Sequence, residues 1–331
     1  MRKYHFDVNI DTKRGNNAGS KATSDCRKIL IETGFVDLQI SVRYRWYLMP
    51  VHLVIVVFKL LLFAVIISKN SLIVVQYPLL GINRFFKYFI RLLKKKGCRF
   101  CALIHDVDSL RSEPNEQKTL NEIKALSAYD AVISHNAAMT KWLLQNNYQG
   151  HVEEIGLFDY LASGESHSEP AVEKEYNEVA FAGALDRGSF LEKLAACNYP
   201  FYINLYGNGF KKSISNINAR VRWFGSFSPQ QIIHHVRGDF GLIWDGNSVE
   251  EITGLAGQYM RYNTPHKTSL YVAAGLPVIV SKNAAVAAFV KRNNIGVCVD
   301  SLREISSKVL GINPTEYTAM KQNVLAIGEQ V

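Results

Sequence analysis

Four polar clusters in this chain lie where an apolar run gives way to a turn or a helix start. Each has residue types suited to an anionic ligand or to proton transfer. The first is Tyr262–Leu270, Tyr-Asn-Thr-Pro-His-Lys-Thr-Ser-Leu, which leads into Tyr271–Val280. Thr264 is expected to cap a helix here, with Pro265 at its first position. The N–H groups and positive dipole end of such a helix favour phosphate, and Lys267 adds a mobile cation in the first turn. A plain capped helix with a solvated Lys267 accounts for the same residues. The second cluster is Phe181–Phe190, a strand, a glycine turn and another helix start, in which the Arg187 fork suits a diphosphate. An ion pair with Asp186 is its structural alternative.

The third cluster is Ile104–Arg111, where His105, Asp106 and Asp108 follow an apolar strand. Asp106 or Asp108 could accept a proton from a substrate hydroxyl, with His105 as the other candidate. The D-x-D spacing also matches a metal–nucleotide motif, and loop solvation explains it equally. The fourth is Phe240–Gly246, whose Asp245 could bond a sugar or ribose hydroxyl or simply sit in an Asp-Gly turn. Two further segments stand out. Arg14–Ala22 is a glycine-rich loop between the first strand and the first helix, where backbone could approach a ligand. Arg84–Lys96 is basic and aromatic, as suits an anionic membrane surface or a solvated amphipathic helix. Neither a G-x-G-x-x-G fingerprint nor a Walker A motif occurs, which argues against a nicotinamide enzyme or an NTPase. No nucleic-acid reader module is visible either.

The elements that must position these clusters alternate throughout. Strands are expected at Phe6–Ile10, Val36–Val42, Leu72–Gln76, Phe100–His105 and Ala131–Ser134. Helices are expected at Ala22–Thr33, Val51–Ile67, Phe85–Lys95, Glu116–Ser127 and Ala137–Gln145. Leu161–Asn177 breaks the rhythm and reads as a linker. The rhythm then resumes with strands at Val179–Ala182, Tyr202–Tyr206, Arg222–Phe224, Phe240–Trp244, Pro277–Val280 and Gly296–Val299. Helices fit Phe190–Ala196, Pro229–Val236, His266–Ala274, Ala284–Arg292, Leu302–Leu310 and Pro314–Glu329, the last capped by Asn313. This is an α/β chain of two doubly wound halves, with a ligand cleft expected between them. The halves are residues 1–160 and 178–312, with a linker at 161–177 and a C-terminal helix at 313–331.

Composition agrees. The chain has 331 residues, 48% hydrophobic and 20% charged, enough for two ordinary cores. A net charge of +9 favours an anionic partner. Five scattered cysteines, an odd number, suit a reducing compartment, and the Cys98/Cys101 pair reads as buried rather than zinc-binding. The first residues lack the apolar core of a signal peptide. Trp46–Ser68 is nearly all apolar, but Lys59 interrupts it, so it reads as a buried or interfacial helix rather than a membrane span.

Together these motifs resemble a known family. Ile104–Arg111, Ala131–Lys141, Phe240–Ser248 and Asn263–Leu270 resemble the bacterial β-1,6-galactofuranosyltransferases of O-antigen synthesis. More distantly, they resemble the glucosyltransferases that extend GlcNAc on serine-rich adhesins. The likeness runs from the loop Gly19–Ala22 to about Gly311. It implies a GT-B fold of two Rossmann-like domains, a UDP-sugar donor held mainly by the second domain, and no metal or other cofactor. Its UDP contacts fall on Ser20, Lys21, Arg187, Ser226 and the run Pro265, His266, Lys267, Thr268, Ser269 and Leu270. The acceptor implied is a lipid-linked or protein-linked glycan. A cytoplasmic chain, peripheral on the cytoplasmic face of the inner membrane and able to form a homo-oligomer, fits that picture. A non-catalytic sugar-nucleotide-binding subunit is the alternative. The second acid of Asp106-Val107-Asp108 departs from the adhesin-type pattern, and the chain reads as ending at Val331, short of a final helix usual in that fold.

Overall fold

The computed structural model describes residues 1–11, 19–43, 49–79, 83–162, 177–211 and 218–330. The stretch 12–18 of the N-terminal loop and 163–176 of the expected linker lie outside the described residues. The chain divides into two compact units. One comprises Met1–Arg14 and Thr23–Ile155, the other Gly15–Ala22 and Gly156–Val331.

In the first unit six parallel strands form one sheet: β1 (Lys3–Asp11), β2 (Val36–Arg43), β3 (Leu72–Tyr77), β4 (Arg99–Ile104), β5 (Ala131–Ser134) and β6 (His151–Glu154). Their order is β2-β1-β3-β4-β5-β6. The connecting helices are α1 (Lys21–Glu32), α2 (Met49–Ile66), α3 (Asn83–Lys94), α4 (Glu116–Leu126) and α5 (Ala137–Gln145). Strands such as Leu-Ile-Val-Val-Gln-Tyr in β3 are buried because helices cover both faces of a parallel sheet. Asn115 caps α4 by accepting from Lys118 N, and Asn136 caps α5 by accepting from Ala138 N and Met139 N. Among the described residues no helix is long and apolar enough to cross a membrane.

The second unit repeats the architecture with a different order. Its strands are β7 (Glu178–Ala182), β8 (Tyr202–Tyr206), β9 (Val221–Trp223), β10 (Phe240–Ile243), β11 (Val278–Ser281) and β12 (Gly296–Val299), arranged β12-β11-β10-β7-β8-β9. Its helices are α6 (Phe190–Ala195), α7 (Ile232–His235), α8 (Gly254–Tyr259), α9 (His266–Ala273), α10 (Ala287–Asn293), α11 (Ile305–Leu310) and α12 (Pro314–Gly328). Helix α12 opens on a full capping box, with Asn313 accepting from Glu316 N and the Glu316 carboxylate returning to Asn313 N. Numbered within the unit, the order is 3-2-1-4-5-6 read from β9. The switch point of such a sheet lies between its first and fourth strands, here β7 and β10.

That switch point has a local cause. Strands β7 and β10 pair only at Phe240↔Val179 and Gly241↔Ala180. Beyond that the Tyr271 hydroxyl of α9 fills the gap, accepting from Ala182 N at 2.8 Å and donating to Leu242 O at 3.3 Å. The ring passes over Gly241, where a Cβ would lie 2.2 Å from Tyr271 Cγ. Two strands thus part with their backbone groups still bonded, as burial requires.

Three features differ from the sequence reading. Strand β6, His-Val-Glu-Glu, was not expected, because an exposed edge strand of polar residues has no apolar alternation. Helix α8 was not expected, because Gly254 and Gly257 weaken its helical signal. Pro265, expected inside the helix, is instead the N-cap of α9 with φ −64° and ψ 135°, and no side chain caps it. Its ring fixes φ in the extended region as well as it would in the first turn.

Candidate functional site

At the switch point of the second sheet, the loops after β7 and β10 run side by side. They are close because glycines let them be. A Cβ on Gly188 would lie 2.1 Å from Gly246 O, and one on Gly246 would lie 2.1 Å from Thr253 O. Ser189 N donates to Asn247 Oδ1 at 3.1 Å and Lys193 Nζ to Asn247 O at 2.7 Å, stitching one loop to the other. Gly183 and Gly207 both have positive φ, and a Cβ on Gly207 would strike Gly183 O. A side chain at these positions would wedge the loops apart.

Three charged groups gather there. Arg187 is exposed on the first loop. Its Nε lies 4.0 Å from Oδ2 of Asp245, which is largely buried and accepts from Gly246 N. Lys267, in the first turn of α9, is half-buried, with its ammonium 4.0 Å from the centroid of the Phe181 ring. It also rests against Gly183, where a Cβ would meet Lys267 Cε at 3.0 Å. Burial pushes the Lys267 ammonium down to about 8. Asp245 opposes that shift and Arg187 adds to it. Two cations and one carboxylate therefore share a small, partly dry space. Such a space favours an added anion, above all one that a guanidinium can grip with two bonds.

The rest of the α9 start is also polar and buried. Thr268 and Ser269 are essentially inaccessible, and their hydroxyls, like His266 Nε2, have no hydrogen-bond partner among the described residues. Burial holds His266 neutral, its pKa pushed down to about 4. Its ring packs on Tyr160 at 5.2 Å. Lys21, on the same Tyr160, donates to Leu161 O at 2.6 Å and lies 4.6 Å from the ring centroid.

The sequence-derived candidates thus separate. Arg187, Asp245 and Lys267 come together, with Pro265, His266, Thr268 and Ser269 at the helix start beside them. Lys21 joins His266 across Tyr160, with Ser20 next to it in sequence. Ser226 follows β9, two strands from the switch point. Leu270 follows Ser269 in α9, with its side chain in the apolar core of the second unit. The residues the sequence did not single out are Tyr271, Gly241 and Phe181. Their signal was an ordinary apolar pattern whose meaning depends on where the sheet splits.

In the first unit His105, Asp106 and Asp108 follow β4, at the carboxyl end of the sheet. His105 N donates to Tyr77 O at 2.8 Å. Asp106 Oδ2 accepts from Arg111 Nη1 at 2.5 Å, and Asp108 is exposed. The loop is braced from below. Buried Glu122 accepts from Ser109 N at 2.7 Å and from the Tyr77 hydroxyl at 2.6 Å. Burial raises the Glu122 pKa, while those two bonds restrain the rise. His135 Nε2 donates to Ile104 O at 3.0 Å, and burial pushes its pKa down to about 4, so it is a neutral strut. Glu122 and His135 were not among the candidates. A lone acid in a helix and a histidine after a strand read as surface residues until the packing is known.

Two parallel, doubly wound units with an anion-ready crevice at the second switch point define the GT-B class of glycosyltransferases. Solved structures share the fold. HepE of Anabaena in complex with UDP aligns over 100% of this chain and 95% of its own, with TM-score 0.61 at 14% identity. The trehalose 6-phosphate synthase of Burkholderia multivorans aligns over 100% and 93%, with TM-score 0.59 at 13% identity. Sequence comparison narrows the class. The chain belongs to the glucosyltransferase 3-like family, whose N-terminal domain model matches residues 3–156 and whose C-terminal domain model matches residues 179–331. It is a glycosyltransferase. The β-1,6-galactofuranosyltransferase WbbI of Escherichia coli K12 is 34% identical over 252 residues, 74% of this chain and 69% of that protein. Glucosyltransferase 3 of Streptococcus gordonii is 27% identical over 260 residues, 78% of this chain and 74% of that protein.

Proposed function

We propose that this chain transfers galactofuranose from UDP-galactofuranose to a growing surface glycan. The observation that carries the donor half of this reading is the meeting of Arg187, Asp245 and Lys267 at the β7/β10 crevice. As the glycosidic bond to the donor breaks, negative charge builds on the departing diphosphate. Lys267, Arg187 and the N–H groups at the start of α9 are placed to stabilise that charge, a task for fixed donors in a partly dry site. Asp245 is assigned a sugar or ribose hydroxyl. Ser20, Lys21 and Ser226 are assigned to the nucleotide, which needs contacts beyond its phosphates. The reaction then needs no metal. The Asp106–Arg111 ion pair favours that reading, since it occupies one carboxylate of the D-x-D.

The acceptor side is assigned to residues 1–160 and the donor side to 178–312. The acceptor is a lipid-linked or protein-linked glycan at the cytoplasmic face of the inner membrane. If the reaction inverts the anomeric centre, Asp106 or Asp108 takes the acceptor proton. Asp108 is the better placed, being exposed and free of the Arg111 pairing that holds Asp106. The higher identity to a galactofuranosyltransferase than to the glucosyltransferases supports galactofuranose over glucose.

The test is a panel of UDP-sugars offered to the purified chain with a GlcNAc-bearing or lipid-linked acceptor, read as UDP release. Turnover highest with UDP-galactofuranose and undiminished in excess EDTA is expected. Preference for UDP-glucose would replace the donor. Tight UDP binding without turnover of any UDP-sugar would make the chain a non-catalytic binding subunit.

A further inference from the structure

Helix α2, Met-Pro-Val-His-Leu-Val-Ile-Val-Val-Phe-Lys-Leu-Leu-Leu-Phe-Ala-Val-Ile, is apolar on every side, yet only one stripe of it is buried. Val56, Leu60 and Ala64, spaced by four, form that stripe, which packs on β2 and α3. The opposite stripe of Val54, Phe58, Leu61 and Val65 is exposed by 69%, 66%, 58% and 78%. Ten large apolar side chains of this one helix are exposed in all. A helix apolar all round is ordinarily buried in protein or in lipid, and contiguous bare apolar surface on a monomer is normally limited to a few hundred Å². The face is also firmly mounted. Phe63 meets the Phe6 ring edge-on at 6.2 Å, and Lys96 Nζ donates to Ala64 O at 2.6 Å, anchoring the helix end.

What covers this face is indicated by the charge around it. From Leu38 to His105 the sequence holds eleven Lys and Arg residues and no Asp or Glu. The rest of the chain carries 27 basic and 29 acidic side chains, so the whole net positive charge resides in this segment. Helix α3, packed beside α2, buries Phe86, Phe89, Ile90 and Leu93 and exposes Lys87, Tyr88, Arg91 and Leu92, with Lys95 exposed just past its end. The Lys87 ammonium lies 5.0 Å from the Tyr88 ring centroid and the Arg91 guanidinium 6.0 Å from it. That mixture of cations, one aromatic and one aliphatic residue is the profile of a helix at a headgroup boundary. A second copy of this chain would set the exposed cations Lys87, Arg91 and Lys95 against their own counterparts. A bilayer containing anionic lipid satisfies the apolar face and the cations together.

We propose that α2 and α3 form an interfacial docking surface for an anionic bilayer. The exposed stripe of α2 enters the boundary between headgroups and acyl chains, and Lys87, Arg91 and Lys95 meet lipid phosphates. The surface develops the membrane part of the function proposed above and uses no residue of the donor site.

The test is co-sedimentation of the full chain with vesicles of phosphatidylcholine, with and without 30 mol% phosphatidylglycerol. Binding to the anionic vesicles that weakens with added salt is expected. Each basic residue near such a surface contributes about fivefold, so Lys87→Gln with Arg91→Gln is expected to weaken partitioning roughly 25-fold. Phe58→Ser with Val65→Ser is expected to abolish it at low salt too. Circular dichroism and urea unfolding report the folding of every variant, and UDP calorimetry reports the donor site separately, because that site lies in the other unit. A chain that stays in the supernatant with both vesicle types, or binds both equally, overturns the proposal. So does a dimer, seen by light scattering, that Phe58→Ser dissociates, since the face would then be a protein interface. Sedimentation without UDP binding would sink the donor reading and leave this surface standing.

Discussion

Raising the pH from 7 to 9 should remove the charge of Lys267 and with it much of the affinity for UDP. The argument starts from burial. The ammonium lies on the Phe181 ring and against Gly183, repelled by Arg187 and attracted by Asp245, and its pKa falls to about 8. A lowered pKa means that the free protein loses this proton within the assay range. A bound diphosphate favours the charged form and raises the pKa again, so binding takes up a proton as pH rises through 8. The charged fraction falls from about nine-tenths at pH 7 to about one-tenth at pH 9, so Kd should rise roughly tenfold. Calorimetry with UDP at constant ionic strength measures it. Buffers of different ionisation enthalpy should report about half a proton taken up per UDP at pH 8. Lys267→Arg keeps its charge throughout and corrects for titration of the nucleotide itself. Lys267→Met should bind weakly at both pH values. A wild-type pH profile that matches Lys267→Arg, or a Lys267→Met variant of unchanged affinity, would refute the assignment.

Other expectations follow from the same geometry. Arg187→Ala removes a charge-assisted contact worth about 1.5–3 kcal/mol, so UDP affinity should fall by roughly 10- to 100-fold while the circular dichroism spectrum is unchanged. Tyr271→Phe leaves Ala182 N without its acceptor and should cost about 1–3 kcal/mol in urea unfolding. Gly241→Ala places a methyl group in the Tyr271 ring and should cost a similar amount, about 1–3 kcal/mol, through overpacking. Asp108→Asn should lower kcat with KM for the donor nearly unchanged. Asp106→Asn, which weakens the bond to Arg111, should instead alter thermal stability by less than about 1 kcal/mol.

The alternation of strands and helices was legible because a parallel sheet writes itself as apolar runs, such as Val278–Ser281, between helical stretches. Helix α12 could be read to its first residue, because Asn313, Pro314 and Glu316 encode a capping box locally. Local encoding failed where it was weak, at the polar edge strand β6 and the glycine-containing α8. The candidate site followed the same division. Lys267 and Arg187 declare themselves, since a cation beside a helix start has a chemical meaning in one dimension. Tyr271 does not, because its role is to bridge two strands that part company, and nothing within α9 announces that. Glu122 and His135 are similar, as each acquires its meaning only from the loop it props, Ile104–Ser109. The apolar character of α2 was plain in the sequence, but which of its faces stays bare depends on the sheet beneath it.

The most direct test of the account is the structure of this chain with UDP bound. The account predicts the diphosphate in the β7/β10 crevice, within hydrogen-bond reach of Lys267 Nζ and the Arg187 guanidinium and over the first turn of α9. A diphosphate bound instead at the loops after β1 and β3 of the first sheet, with Lys267 still seated on Phe181 and contacting nothing, would contradict it.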